Sequence, residues 1–165
     1  MKRRILVGGA LAVTAGLALA GCSDASPDKA DKAAKAADKP ELKVAGAFMP
    51  EPVMDTMASG FFTVTNKGGA DKLTSVTSGI AKKVTLHSTK GNAMKEQKSF
   101  DVPANGELDF ARGANHLMFE ELKQKPKQGD KVAVTLHFEK SDPIDVEIPV
   151  KAATYNPKPG KHTSH

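Results

Sequence analysis

His116-Leu117-Met118 is the stretch of this chain best equipped for chemistry. Alternate side chains of a strand share a face, so His116 and Met118 would point one way while Leu117 and Phe119 point the other, into a core. An imidazole beside a thioether is half of a soft-metal site. His87 and Met94 are candidates for the other half. His87 lies on the outer face of a strand whose Val84 and Leu86 face inward, and Met94 follows across a loop containing Gly91. Two imidazole nitrogens and two thioether sulfurs, all uncharged, suit Cu(I), which accepts low coordination numbers. Zinc would claim thiolates or three nitrogen or oxygen ligands, and calcium would want oxygens. Without a thiolate the binding would be firm but exchangeable, which fits handing an ion on better than storing it.

The same residues have readings without a metal. An H-x-M strand taken alone is a partly exposed histidine beside a gap-filling methionine; Met94 can fill a core gap, and His87 can be a surface histidine. His137, on the polar face of a late strand, reads as a surface residue.

The sequence offers little to an enzyme. Ser88 follows His87 directly, and neighbours on a strand face opposite ways, so they cannot form the hydrogen bond a nucleophile needs. No G-x-S-x-G, H-E-x-x-H or phosphate-cradling glycine loop occurs. The formal charge of +5 falls by three to +2 once Lys2, Arg3 and Arg4 are set aside as part of a removable leader, too little to argue for nucleic acid.

The elements that would hold these residues are strands. The 165 residues, 39% of them hydrophobic, suffice for one globular domain. Lys131 to Glu139 alternates cleanly, with Val132, Val134, Leu136 and Phe138 inward, and Pro143 to Val150 repeats the pattern. Earlier alternations at Glu41–Phe48, Gly60–Asn66, Asp71–Ser78 (the weaker one), Lys83–Ser88, Met94–Phe100 and Glu107–Ala111 are separated by turn residues. Met49 to Gly60, with two prolines and Met49, Met54 and Met57, reads as a loop, and so does Thr89 to Ala93. Seven to nine strands with no strong helix predict an all-β two-sheet sandwich or barrel.

The N-terminus carries an address. Lys2-Arg3-Arg4 precedes an apolar, small-residue run, and Leu19-Ala20-Gly21-Cys22 resembles a bacterial lipobox, so residues 1–21 would be removed and Cys22 acylated. Two or more acyl chains suffice for stable anchoring. Residues 22–40, rich in Ala, Lys and Asp, read as a flexible tether; residues 41–150 form the domain, and 151–165 an unpacked tail. The protein would work at the cell membrane, facing the extracytoplasmic side. Cys22 is the sole cysteine, so no disulfide or thiolate ligand belongs to the domain.

Met94 and His116 have 21 residues between them, and Met118 completes the H-x-M. On this linked spacing, and on GFFTVTNKGGADKLTSVTS, NHLMFEELK and GDKVAVTLHFE, the chain resembles the PCuAC family of extracytoplasmic copper chaperones from about Glu41 to Val150, in its lipid-anchored actinobacterial form. The resemblance implies a cupredoxin-like Greek-key β-sandwich that turns over no substrate and holds Cu(I) on His87, Met94, His116 and Met118. It implies a monomer that passes the ion to a copper-accepting membrane protein, such as a cytochrome c oxidase subunit or another assembly chaperone. Six residues separate His87 from Met94, fewer than the family usually has. The tail ending His162-Thr163-Ser164-His165 resembles an accessory Cu(II) site, with Met49, Met54 and Met57 as possible helpers once the ion is Cu(I). Copper sequestration and a metal-independent interaction module are the alternatives.

Overall fold

A computed structural model of the chain describes residues 39–91 and 93–157. Among these are ten strands and no helix: β1 (Leu42–Pro50), β2 (Met57–Asn66), β3 (Asp71–Ser78), β4 (Ala81–Lys90), β5 (Ala93–Gln97), β6 (Phe100–Val102), β7 (Glu107–Phe110), β8 (His116–Leu122), β9 (Lys131–Phe138) and β10 (Ile144–Lys151). Hydrogen bonds link them in the order β5-β4-β8-β2-β1-β10-β9-β3-β6, with β7 on β2. One buried apolar cluster draws on both ends of that path. Leu86, Leu117 and Phe119 come from β4 and β8; Val132, Val134, Leu136, Ile148 and Val150 come from β9 and β10. The path therefore folds over on itself as a sandwich, and each fully buried side chain of this size contributes about 1.5–3 kcal/mol.

β1 is where the chain passes between the layers. Its first part pairs antiparallel with β2, while Met49 and Pro50 pair in parallel with Val150 and Lys151 of β10. The register shifts between Ala45 and Phe48, and Gly46 sits there at φ +64°, which glycine adopts without penalty. The bulge also changes which residue faces inward: Met49 is fully buried, with no exposed surface. Asn66, buried at the end of β2, fastens the adjoining turns. Its Oδ1 accepts the Glu41 and Gly68 N–H groups, and its Nδ2 donates to the Gly69 and Pro103 carbonyls.

Several expectations change. The segment read as a loop from Met49 to Gly60 lends its two ends to strands, leaving 51–56 as the connection. The weaker strand at Asp71–Ser78 is a full eight residues, between β9 and β6. Thr89 to Ala93 is a tight hairpin, since Lys90 pairs with Ala93 and only Gly91, at φ +60°, and Asn92 lie between. The start of the tail is packed: Lys151 closes β10, the Tyr155 ring meets Phe48 edge-on at 5.1 Å, and Arg112 donates to the Ala153 carbonyl at 3.0 Å. Cys22, His162 and His165 lie outside the described residues.

Candidate metal centre

The site is built on the outer face of β5-β4-β8. In the antiparallel β4–β8 ladder His87 stands opposite His116, Thr85 opposite Met118 and Lys83 opposite Glu120. Side chains directly opposite on one face come within about 4.5–5.5 Å at Cβ. The two imidazole rings are stacked, with centroids 5.5 Å apart and planes 23° off parallel. The intervening Leu86, Leu117 and Phe119 are buried, which pins the register: a slip by one residue would turn the whole apolar set to water. In the β4–β5 hairpin Met94 is opposite Thr89 and Glu96 opposite His87, so Met94 shares the face and lies diagonally across from His87. All four predicted residues are thus on one sheet face. They differ in burial: His116 is 6% exposed, His87 and Met118 are half-buried, and Met94, on the edge strand, is 56% exposed.

Each imidazole is held by one ring nitrogen. His116 Nδ1 is 3.1 Å from the Ala114 carbonyl oxygen, an acceptor only, so Nδ1 carries the proton and Nε2 keeps its lone pair. The same carbonyl accepts the Thr89 N–H at 3.2 Å, which ties the 111–115 turn to β4. His87 Nε2 is 3.0 Å from Thr85 Oγ1, and His87 Nδ1 is buried without a hydrogen-bond partner. Burial, and then electrostatic coupling to the neighbouring His116 imidazole, which disfavours charging both rings, hold the His87 imidazole below the usual histidine range; Glu96 and Glu120 pull it upward, and Lys83 adds to the lowering. That shift favours the neutral ring, the form in which an imidazole binds a metal. Phe61 lies beside His116, ring centroids 6.5 Å apart, and Phe48 stacks on Phe61 at 5.0 Å, so an aromatic wall bounds the site.

Among the described residues no group of three or more His, Cys, Asp or Glu side chains is placed to hold a metal ion. A metal at the two imidazoles would have to draw on the thioethers, which favours a soft ion. Met54 and Met57 line an open cleft of about 270 Å³ together with Met118, Phe61 and Arg112. Met49 is not with them: its place in the core overturns the expectation that it could assist a metal. His137 lies on β9, in the other layer, bonded through Nε2 to Thr77 Oγ1 at 3.1 Å. Sequence reasoning passed over Thr85 and Glu120. The signal was available in the T-x-H and H-x-M-x-E spacings, which put both on the face of the ligands.

Comparison with known proteins agrees with this frame. Residues 42–150 match the LpqE-like lipoprotein family. The chain belongs to that family. It is 35% identical over 146 residues to "Putative lipoprotein Lxx21020" of Leifsonia xyli subsp. xyli, covering 82% of this chain and 83% of the relative. Family membership carries with it a membrane-anchored, extracytoplasmic location. Among solved structures, the apo PCuAC domain from PmoF1 superposes with a TM-score of 0.62 at 24% identity, over 70% of this chain and 97% of that one. The solution structure of CuI-DR1885 from Deinococcus radiodurans gives a TM-score of 0.58 at 25% identity, over 78% and 89%. The fold of this LpqE-like protein is the cupredoxin-like all-β sandwich of PCuAC domains.

Proposed function

We propose that this LpqE-like lipoprotein is a copper chaperone that binds Cu(I) through His87, Met94, His116 and Met118 and delivers it to an extracytoplasmic copper enzyme. The observation that carries the reading is the cross-strand His87–His116 pair with both methionines on the same sheet face. The solved neighbours described as CuI-DR1885 and as the copper-bound PCuAC domain from PmoF2 carry copper on a similar fold, which supports copper as the cargo. Four neutral donors stabilise Cu(I) without fixing it, because thioether bonds exchange readily with those of an acceptor. The protein moves an ion and turns over no substrate.

In this reading residues 1–21 are a signal peptide, acylated Cys22 is the anchor, and the stretch to residue 40 is a tether that lets the domain reach a membrane-bound acceptor such as a cytochrome c oxidase subunit or another assembly chaperone. Met54 and Met57, sharing a cleft with Met118, stand where a departing ion would next meet sulfur. His162 and His165 would offer two imidazoles to an incoming Cu(II). The test is genetic. Cells lacking the protein are expected to lose cytochrome c oxidase activity when copper is scarce and to recover it with added copper. Rescue by the wild-type chain but not by His116→Ala/Met118→Ala supports delivery. Undiminished oxidase activity in the deletion strain would point to sequestration instead.

A further inference from the structure

Resting on the copper reading of this face, we propose that Thr85 and Glu120 form a hydrogen-bond relay that fixes the tautomer of His87 and leaves its Nδ1 as the nitrogen offered to the ion. Thr85 Oγ1 has one proton and three neighbours: Glu120 Oε1 at 2.9 Å, the Met118 carbonyl oxygen at 3.4 Å and His87 Nε2 at 3.0 Å. The first two can only accept, and the carboxylate is the nearer and the stronger acceptor. Thr85 therefore donates to Glu120 and turns a lone pair to His87. Nε2 must carry the hydrogen, and in a neutral ring the free pair is then on Nδ1. That atom is the one buried without a partner. A buried acceptor left unmade is costly, and a cation arriving there removes the cost.

His116 is set the opposite way, through Nδ1–H to the Ala114 carbonyl. The two imidazoles of one site thus present different nitrogens, Nδ1 from His87 and Nε2 from His116, and each is oriented by a partner of its own. Outer partners of this kind fix ring orientation and raise ligand basicity. Lys83, 3.5 Å from Glu96 and 4.0 Å from Glu120, sits between the two carboxylates and holds the acceptor end of the relay. Thr85 and Glu120 are positioning residues and do not touch the ion. The Thr77–His137 pair of the other layer provides an internal reference, for it has the same hydroxyl-to-Nε2 contact.

The test uses ¹⁵N-histidine-labelled full chain in detergent micelles, first without copper. In the wild type His87 is expected to show a pyridine-like Nδ1 and a pyrrole-like Nε2. Thr85→Val should abolish that pattern, Thr85→Ser should restore it, and His137 should be unmoved by either. On Cu(I) titration Thr85→Val should bind about 10–100-fold more weakly and Thr85→Ser close to wild type. A protonated Nδ1 in the wild type, a tautomer unchanged in Thr85→Val, or full Cu(I) affinity after the tautomer is lost would each overturn the relay. A wild-type chain with the expected tautomer that takes up no Cu(I) would instead overturn the copper reading and leave the relay standing.

Discussion

Two histidines of this protein look alike locally and differ in what surrounds them. His87 on β4 and His137 on β9 both point outward from a strand, and both meet a threonine hydroxyl through Nε2, at 3.0 and 3.1 Å. His87 faces a second imidazole across the ladder, with a thioether on either side. His137 has Ser75 opposite it, in a layer whose polar residues fasten connections, as Asp71 does by accepting from the Lys140 and Ser141 N–H groups. A histidine beside a threonine is therefore not a site. Pairing of strands makes His87 a candidate, by bringing β4, β5 and β8 into a register that puts two imidazoles and two thioethers on one face.

The comparison breaks most sharply at its centre. His116→Ala/Met118→Ala should lower Cu(I) affinity by more than about 100-fold, beyond what loss of an outer partner costs, as read by competition with a Cu(I) chelator. An unchanged affinity would put His87 on a level with His137. Met94→Ala should cost less, about tenfold, because an edge-strand side chain 56% exposed is ordered only when it binds. A loss as large as that of the double variant would mean the hairpin is as much a part of the site as β8.

Much of this frame was legible in the sequence. The β9–β10 ladder runs without a register shift, and both strands bury alternate residues, so period two marked the faces of Lys131–Phe138 and Ile144–Val150 correctly. The spacing of His116 and Met118 put both on one face for the same reason. Met49 was misplaced because Pro50 and Pro52 made the stretch from Met49 read as a loop, whereas β1 runs on to Pro50 past the irregularity at Gly46 and buries Met49 in the core. The Thr89–Ala93 stretch read as a loop because Gly91 breaks the pattern, while a two-residue hairpin turn needs such a residue and keeps both flanks paired. Thr85 was missed because a threonine in a strand is ordinary, and its role depends on Glu120, 35 residues away in the chain.

The far layer should respond to pH through structure and not through copper. Burial alone would push the Asp71 carboxyl up, but the Ser141 hydroxyl and the Lys72, Lys140 and Ser141 N–H groups donate to it and hold it below the ordinary carboxylate value. A depressed carboxylate contributes stability that is present above its unfolded value of about 3.9 and lost as pH falls through the folded value. Urea unfolding of wild type and Asp71→Asn should show a gap at pH 7 that narrows below about pH 4. A gap that persists into acid would assign the effect to packing. His137→Ala completes the series, with Cu(I) affinity expected to match wild type; a measurable loss would give the far layer a part in binding.

Copper K-edge X-ray absorption on the chain loaded with one equivalent of Cu(I) tests the central claim most directly. The arrangement of His87, Met94, His116 and Met118 predicts a site with both sulfur and nitrogen scatterers, the sulfur signal falling when Met118 is replaced by Ala. A spectrum with nitrogen and oxygen neighbours alone would contradict it.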